Sequence, residues 1–182
     1  MPLIGDHAPE FHAMTTQGKI DFPADYKGNW VVLFSHPADF TPVCTTEFIA
    51  LSRMNETFES LNTKLIGLSI DSLHSHLGWI KSIEALNFNN EGKVKIPFPI
   101  IADISMNVAK KYGMLQTVAN TQTVRAVFII DPEGIIRTIL YYPMSTGRNI
   151  PEIIRILQSL QLNDKTHYST PANWQPGDDV VM

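Results

Sequence analysis

The chain has 182 residues, 44% of them hydrophobic and 18% charged, and a formal net charge of −4. That is enough chain to bury roughly two thirds of its unfolded surface in one domain, and too apolar a composition for intrinsic disorder. The mild charge and the lack of any Lys/Arg run exclude a phosphate-tracking surface, so nucleic acid is not an expected partner. No apolar run reaches the roughly 18 residues of a membrane span, and the start MPLIGDHAPEF has neither the basic nor the apolar region of a signal peptide. No membrane association is expected. One cysteine permits no intrachain disulfide, which predicts a reducing, cytoplasmic setting.

Taken in chain order, Trp30 to Phe34 is an apolar run after the turn-forming pair Gly28-Asn29 and predicts a buried strand. Phe48, Leu51, Met54, Phe58 and Leu61 then recur at three- and four-residue steps, predicting an amphipathic helix from near Cys44 to near Asn62. Leu65 to Ile70 reads as a second buried strand. Leu73 to Leu86 reads as a helix with Leu77, Ile80 and Ile83 inward. Pro97 to Ile101 is a short strand candidate, followed by a helix from Ser105 to about Tyr112 that stops at Gly113. Ala126 to Ile130, the turn Asp131-Pro132-Glu133-Gly134 and Ile135 to Tyr141 predict an antiparallel hairpin. Asn149 or a neighbour caps a last helix carrying Ile153, Ile154, Leu157 and Leu160, and the polar stretch Asn163 to Met182 reads as an extended arm. This order predicts an α/β fold with a mixed central sheet and helices on both faces, residues 1–162 forming the domain and 163–182 the arm.

Chemistry concentrates in Ser35-His36-Pro37-Ala38-Asp39-Phe40-Thr41-Pro42-Val43-Cys44-Thr45-Thr46-Glu47. It joins a buried strand to a helix N-terminus, where free backbone N–H groups and the positive end of the helix dipole favour thiolate over thiol. A lone cysteine is ordinarily a small buried hydrophobe. Its proline-flanked place at a helix start points instead to an activated thiol.

These residues resemble the peroxiredoxins, whose signature of proline, three residues, threonine, two residues and cysteine is met by Pro37, Thr41 and Cys44. The longer string is similar to the one-cysteine subgroup, as are Leu68-Ser69-Ile70-Asp71, Pro97-Phe98-Pro99-Ile100-Ile101, Thr123-Val124-Arg125-Ala126 and Thr146-Gly147-Arg148-Asn149, so that the resemblance runs from about Ile4 to the last residue. It implies a thioredoxin-like fold and a thiol-dependent peroxidase acting on hydrogen peroxide and organic hydroperoxides without a cofactor or metal. By the same resemblance Cys44 is the peroxidatic cysteine, Thr41 and Arg125 contact it and the peroxide oxygens, Pro37 walls the pocket, and His36, Glu47 and Arg148 support the site.

The chemistry gives independent grounds for a donor set. A free thiol with a pKa of about 8.5 is only a few per cent ionised at neutral pH, so full ionisation gains about thirtyfold, or about 2 kcal/mol. Donors aimed at the departing oxygen, such as a guanidinium, lower the barrier further, and Thr41 is expected to donate to one oxygen while accepting from a backbone group. The sulfenic acid product needs another thiol, and with no second cysteine an external reductant of the thioredoxin or glutathione kind is expected. A homodimer or ring of dimers is implied by the resemblance. Trp174 is expected to dock on a partner subunit.

Other readings carry less. Disulfide exchange by Cys-x-x-Cys fails because Glu47 stands three after Cys44. A cysteine hydrolase would use His36 as base. Zinc binding has little support, since His74 and His76 are two apart on a helix and read as surface residues. The turn Lys27-Gly28-Asn29-Trp30 lacks the serine of a lipase-type elbow. A non-enzymatic redox sensor or oligomeric holdase, using faces such as Ile139 to Tyr142, is the alternative function.

Overall fold

The computed structural model describes residues 1–116 and 121–182. By backbone contacts these divide into two compact units, Met1–Arg148 and Asn149–Met182.

The first unit is built on one sheet of seven strands: β1 (Phe11–Thr15), β2 (Gly18–Phe22), β3 (Trp30–Ser35), β4 (Thr63–Ser69), β5 (Ile100–Ala102), β6 (Arg125–Ile130) and β7 (Ile136–Tyr142). Their order is β2-β1-β5-β4-β3-β6-β7, with β3·β4 and β4·β5 parallel and β3·β6, β6·β7, β1·β2 and β1·β5 antiparallel. All residues of β3 and β6 are buried, as strands covered on both faces must be, which is why Trp30 to Phe34 reads as a continuous apolar run.

Helices lie on both faces, as expected. Val31, Leu33, Ile66, Leu68, Ala126 and Phe128 point to one core, which takes Val108 and Ala109 from α4 (Asn107–Lys111). Phe34 points the other way, where its ring meets Phe48 of α1 (Pro42–Arg53) at 5.6 Å, and Phe48 meets Trp79 of α3 (Leu73–Ala85) at 4.5 Å. The catalytic-type segment thus leaves the C-terminal end of a central strand, the position at which open α/β sheets place their sites.

Several expectations need correction. The helix expected from Cys44 to Asn62 starts at Pro42 and breaks at Met54, giving α1 and a separate α2 (Asn55–Ser60). The β1–β2 hairpin was not expected, although Phe11, Ala13 and Thr15 alternate with His12 and Met14 and the Thr15 hydroxyl donates to Gly18 O at 2.6 Å. On α3 the inward residues are His76, Trp79 and Ile83, whereas Leu77 is exposed. Leu77 lies about 100° round the helix from His76, past the edge of the stripe that His76, Trp79 and Ile83 form.

In the second unit the Asn149 side chain caps α5 (Ile150–Thr166) by accepting from Glu152 N at 3.2 Å. The helix runs past Asn163 before the arm begins. Trp174 is buried within its own chain, its indole N–H donating to Asp178 O at 3.2 Å, which corrects the expectation that it is free to dock on a partner.

Gly67 on β4 is fixed by packing. A Cβ there would come within 3.3 Å of both Phe34 Cζ and Phe48 Cζ. Gly67→Ala is expected to cost about 1–3 kcal/mol by overpacking, read as a lower denaturant midpoint at unchanged m-value; an unchanged midpoint would show that the two rings yield freely.

Candidate active site

Thr41 is the N-cap of α1 and Pro42 its first residue, so Cys44 sits in the first turn. The Thr41 hydroxyl does not cap the helix; it donates to Ala38 O at 2.8 Å, tying the loop to itself. The first-turn N–H groups of Val43 and Cys44 are therefore not taken by the N-cap side chain. Cys44 is fully buried. Pro37 is buried at the start of the loop, and Phe40 stands exposed with φ of 60°, a conformation that is costly for a bulky residue and clusters at functional loops.

β6 begins with Arg125, whose Nη1 lies 3.2 Å from Cys44 Sγ and 2.7 Å from Glu47 Oε1, while its Nε donates to Met144 O at 2.9 Å. Glu47, one residue short of a helical turn after Cys44, also accepts a bidentate pair from Arg148, Nε to Oε2 at 2.7 Å and Nη2 to Oε1 at 2.9 Å, and the Arg148 backbone N–H at 2.8 Å. Arg148 Nη1 in turn donates to Ser35 O and Ala126 O. The three charged side chains are 1–4% exposed. Burial works against the Glu47 charge, yet the Arg148 hydrogen bonds and the two guanidinium charges outweigh it and hold this carboxyl below its ordinary value. Two guanidiniums and one carboxylate leave one surplus positive charge, and the Arg125 guanidinium carries it to the sulfur.

Among the described residues, His36 is bonded away from this cluster. Its Nε2 pairs with Asp39 Oδ1 at 2.7 Å, and Asp39 Oδ2 pairs with His76 Nδ1 at 2.7 Å. The expectation that His76 lies on the surface is thus wrong, though His74 is exposed. His36 Nε2, Asp39, Asp71 and His76 Nδ1 are spaced as a metal-ligand set would be. The 2.7 Å contacts, however, are hydrogen bonds, closer than the roughly 3.3 Å edge of a tetrahedron with zinc-length arms, so the group is a bonded network. Burial pushes the His36 imidazole below its ordinary value, against the opposing pull of Asp39. Asp39 is held below the usual carboxylate range because bonds from His36 and His76 outweigh the cost of burial.

Asp39 and His76 were absent from the sequence-derived site. The signal existed: His76 stands three before Trp79 and seven before Ile83, on the inward stripe of α3.

Comparison with known proteins shows the family. Residues 4–139 match the model of the AhpC/TSA family, and residues 159–182 match that of the C-terminal domain of 1-Cys peroxiredoxin. A peroxiredoxin of Methanosarcina mazei is 63% identical over 184 residues, covering 100% of this chain and 84% of that protein. A peroxiredoxin of Aquifex aeolicus is 53% identical over 97% of this chain and 78% of its own length. Among solved structures, a cysteine-to-serine mutant of peroxiredoxin 6 from Arenicola marina superposes with a TM-score of 0.92 at 39% identity, covering 100% of this chain and 84% of that one. The yeast mitochondrial 1-Cys peroxiredoxin gives 0.89 at 45% identity, covering 99% and 86%. The chain therefore belongs to the peroxiredoxin family, in its one-cysteine branch, with a thioredoxin-like fold. It is a thiol-dependent peroxidase, an oxidoreductase that takes a peroxide substrate and a thiol reductant.

No described helix is long and apolar enough to cross a membrane.

Two outcomes follow from the buried charges. Glu47→Gln removes the carboxylate from between two buried guanidiniums and is expected to cost about 3–5 kcal/mol, measured by urea unfolding; a loss under about 1 kcal/mol would mean the arginines find other partners. Stability should also fall with acid. A buried neutral His36 gives stability above its unfolded value near 6.5 that is lost as the unfolded chain takes up the proton. Glu47 and Asp39, depressed from 4.5 and 3.8, add stability above those values that is lost as pH falls toward their folded ones. Melting temperature is expected to decline from about pH 6 to about pH 4; a rise over that interval would contradict the signs.

Proposed function

We propose that Cys44 is the peroxidatic cysteine, assisted by Arg125, Thr41 and Pro37, with Glu47, Arg148 and His36 as supports. The observation that carries this is the contact of 3.2 Å between Arg125 Nη1 and the sulfur of the chain's single cysteine. Only the thiolate is nucleophilic, and the surplus positive charge beside Sγ is the complement of that anion. The thiolate attacks one peroxide oxygen in line with the O–O bond. The S–O bond forms as O–O breaks, sulfur loses two electrons, and the departing oxygen leaves as alkoxide or hydroxide that takes a proton to become alcohol or water. Arg125, whose Nη1 faces Sγ, stabilises the charge that grows on the leaving oxygen as the sulfur gives up its own.

With its proton committed to Ala38 O, the Thr41 hydroxyl presents lone pairs, so it accepts from the peroxide O–H and orients it. That reverses the direction of donation expected from the sequence. Pro37, buried and without an N–H, walls the pocket against water.

The product is Cys44 sulfenic acid. A thiol from another molecule attacks its sulfur and releases water, giving a mixed disulfide; a second thiol then frees the Cys44 thiolate. The yeast mitochondrial relative is described as resolved through glutathione and thioredoxin systems, which supports a reductant of that class here. We propose a homodimer or ring of dimers, since the order of the sheet leaves β7 at an edge, where a second copy can add.

The test is stopped-flow mixing of reduced protein with hydrogen peroxide. Cys44→Ser is expected to abolish the reaction. Arg125→Lys, which replaces a rigid fork by a single ammonium, is expected to slow it by about a hundredfold or more. A wild-type rate no faster than that of free cysteine, in folded protein, would overturn the proposal.

A further inference from the structure

Asp39 stands in the Cys44 loop, yet its side chain faces away from the arginine cluster. Both carboxylate oxygens are fully engaged: Oδ1 with His36 Nε2 at 2.7 Å, and Oδ2 with His76 Nδ1 at 2.7 Å and the Ser75 hydroxyl at 2.8 Å. Its backbone N–H donates to Asp71 Oδ2 at 3.0 Å, and Asp71 Oδ2 also receives the Ser69 hydroxyl at 2.6 Å. The loop is thereby tied at one residue to β3 through His36, to the end of β4 through Asp71, and to α3 through Ser75 and His76.

Proton counting specifies the bonds. His76 Nε2 faces Ile101 O at 2.9 Å, and a carbonyl oxygen only accepts, so Nε2 bears a proton. The Ser75 hydroxyl donates to Asp39 Oδ2, and the carboxyl is held below its ordinary range, so it is in the ionised, acceptor-only form and the imidazole nitrogen that faces it, His76 Nδ1, bears a proton too. His36 must donate from Nε2 to the same carboxylate. That fixes one tautomer and leaves Nδ1 bare, and Nδ1 is buried with no hydrogen-bond partner.

We infer that Asp39 and His76 form a buried carboxylate–imidazolium pair that is the positioning device of the Cys44 loop. It holds Pro37 to Thr41 on α3 and keeps Phe40 in its left-handed conformation directly before the N-cap of the reactive helix. Among the described bonds, those of the Asp39 and His76 side chains go to His36, Ser75, Ile101 and each other, not to the sulfur. Their effect on the reaction passes through the placing of Thr41 and the first turn of α1. Phe40 fits this account, because its ring reaches within 3.5 Å of where a Gly78 side chain would begin, so the loop lies directly over the helix that carries His76.

The inference rests on the proposed role of Cys44, and its test separates the two. In wild-type protein with 15N-labelled histidine, NMR at neutral pH is expected to show His76 protonated on both ring nitrogens and His36 on Nε2 alone. A His76 with a single ring proton would overturn the pair. Asp39→Asn and His76→Gln, each checked for a folded circular dichroism spectrum, are then followed with two reagents for Cys44. Peroxide is expected to react about a hundredfold more slowly, as misplacement of a reacting group costs, while neutral chloroacetamide alkylates faster because the loop opens. Folded variants that keep the wild-type rate with both reagents would overturn the positioning role alone. A slow wild-type peroxide reaction would overturn the Cys44 reading instead, whatever the variants do. If neither variant folds, the histidine spectrum of the wild type still decides the pair.

Discussion

The site depends on one buried carboxylate. Among the described residues, Glu47 is the acid paired with both Arg125 and Arg148, and without it two guanidiniums would face each other in a place that water does not reach. The cost of burying such charges is offset only by good geometry and extensive hydrogen bonding, and here Glu47 accepts four bonds from the two arginines. Arg148 spends its donors on Glu47, Ser35 O and Ala126 O, and Arg125 spends its own on Glu47, Met144 O and Cys44 Sγ. The sulfur therefore completes a set that the carboxylate begins.

Chain topology makes the arrangement possible. Cys44 and Glu47 are three apart in the first turns of α1, so both face the same side. Arg125 opens β6, which is antiparallel to β3, and therefore comes to the end of β3 from which the reactive loop departs. Arg148 joins the two strands there through carbonyls of each. A second polar set, around Asp39, works at the other side of the same loop. One set meets the sulfur and the other sets the path of the backbone that carries it.

Much of this was legible in the sequence, and the limits have physical causes. Continuous apolar runs gave β3, β4 and β6 because those strands are covered on both faces. The thiol at a helix start was visible because Pro42 and the three- and four-residue steps after it mark where α1 begins. The break at Met54 was not visible, since the apolar stripe runs through it unaltered from Phe48 to Phe58. His76 escaped because a histidine with no neighbour in sequence gives no sign of a carboxylate 37 positions back, which only the fold brings within 2.7 Å. Leu77 was placed inward on hydrophobicity alone, although the phase set by Trp79 and Ile83 puts it outside. The direction of the Thr41 hydroxyl bond likewise depends on the loop folding back on Ala38, a local geometry that residue types do not encode.

The central claim is that Glu47 serves the reaction through Arg125 and not by a route of its own. A double-mutant cycle of Glu47→Gln and Arg125→Lys, read as the rate constant for Cys44 with hydrogen peroxide in folded protein, addresses it directly. The account predicts strong non-additivity, the double variant reacting little more slowly than Arg125→Lys alone. Losses that multiply across the two substitutions would contradict it.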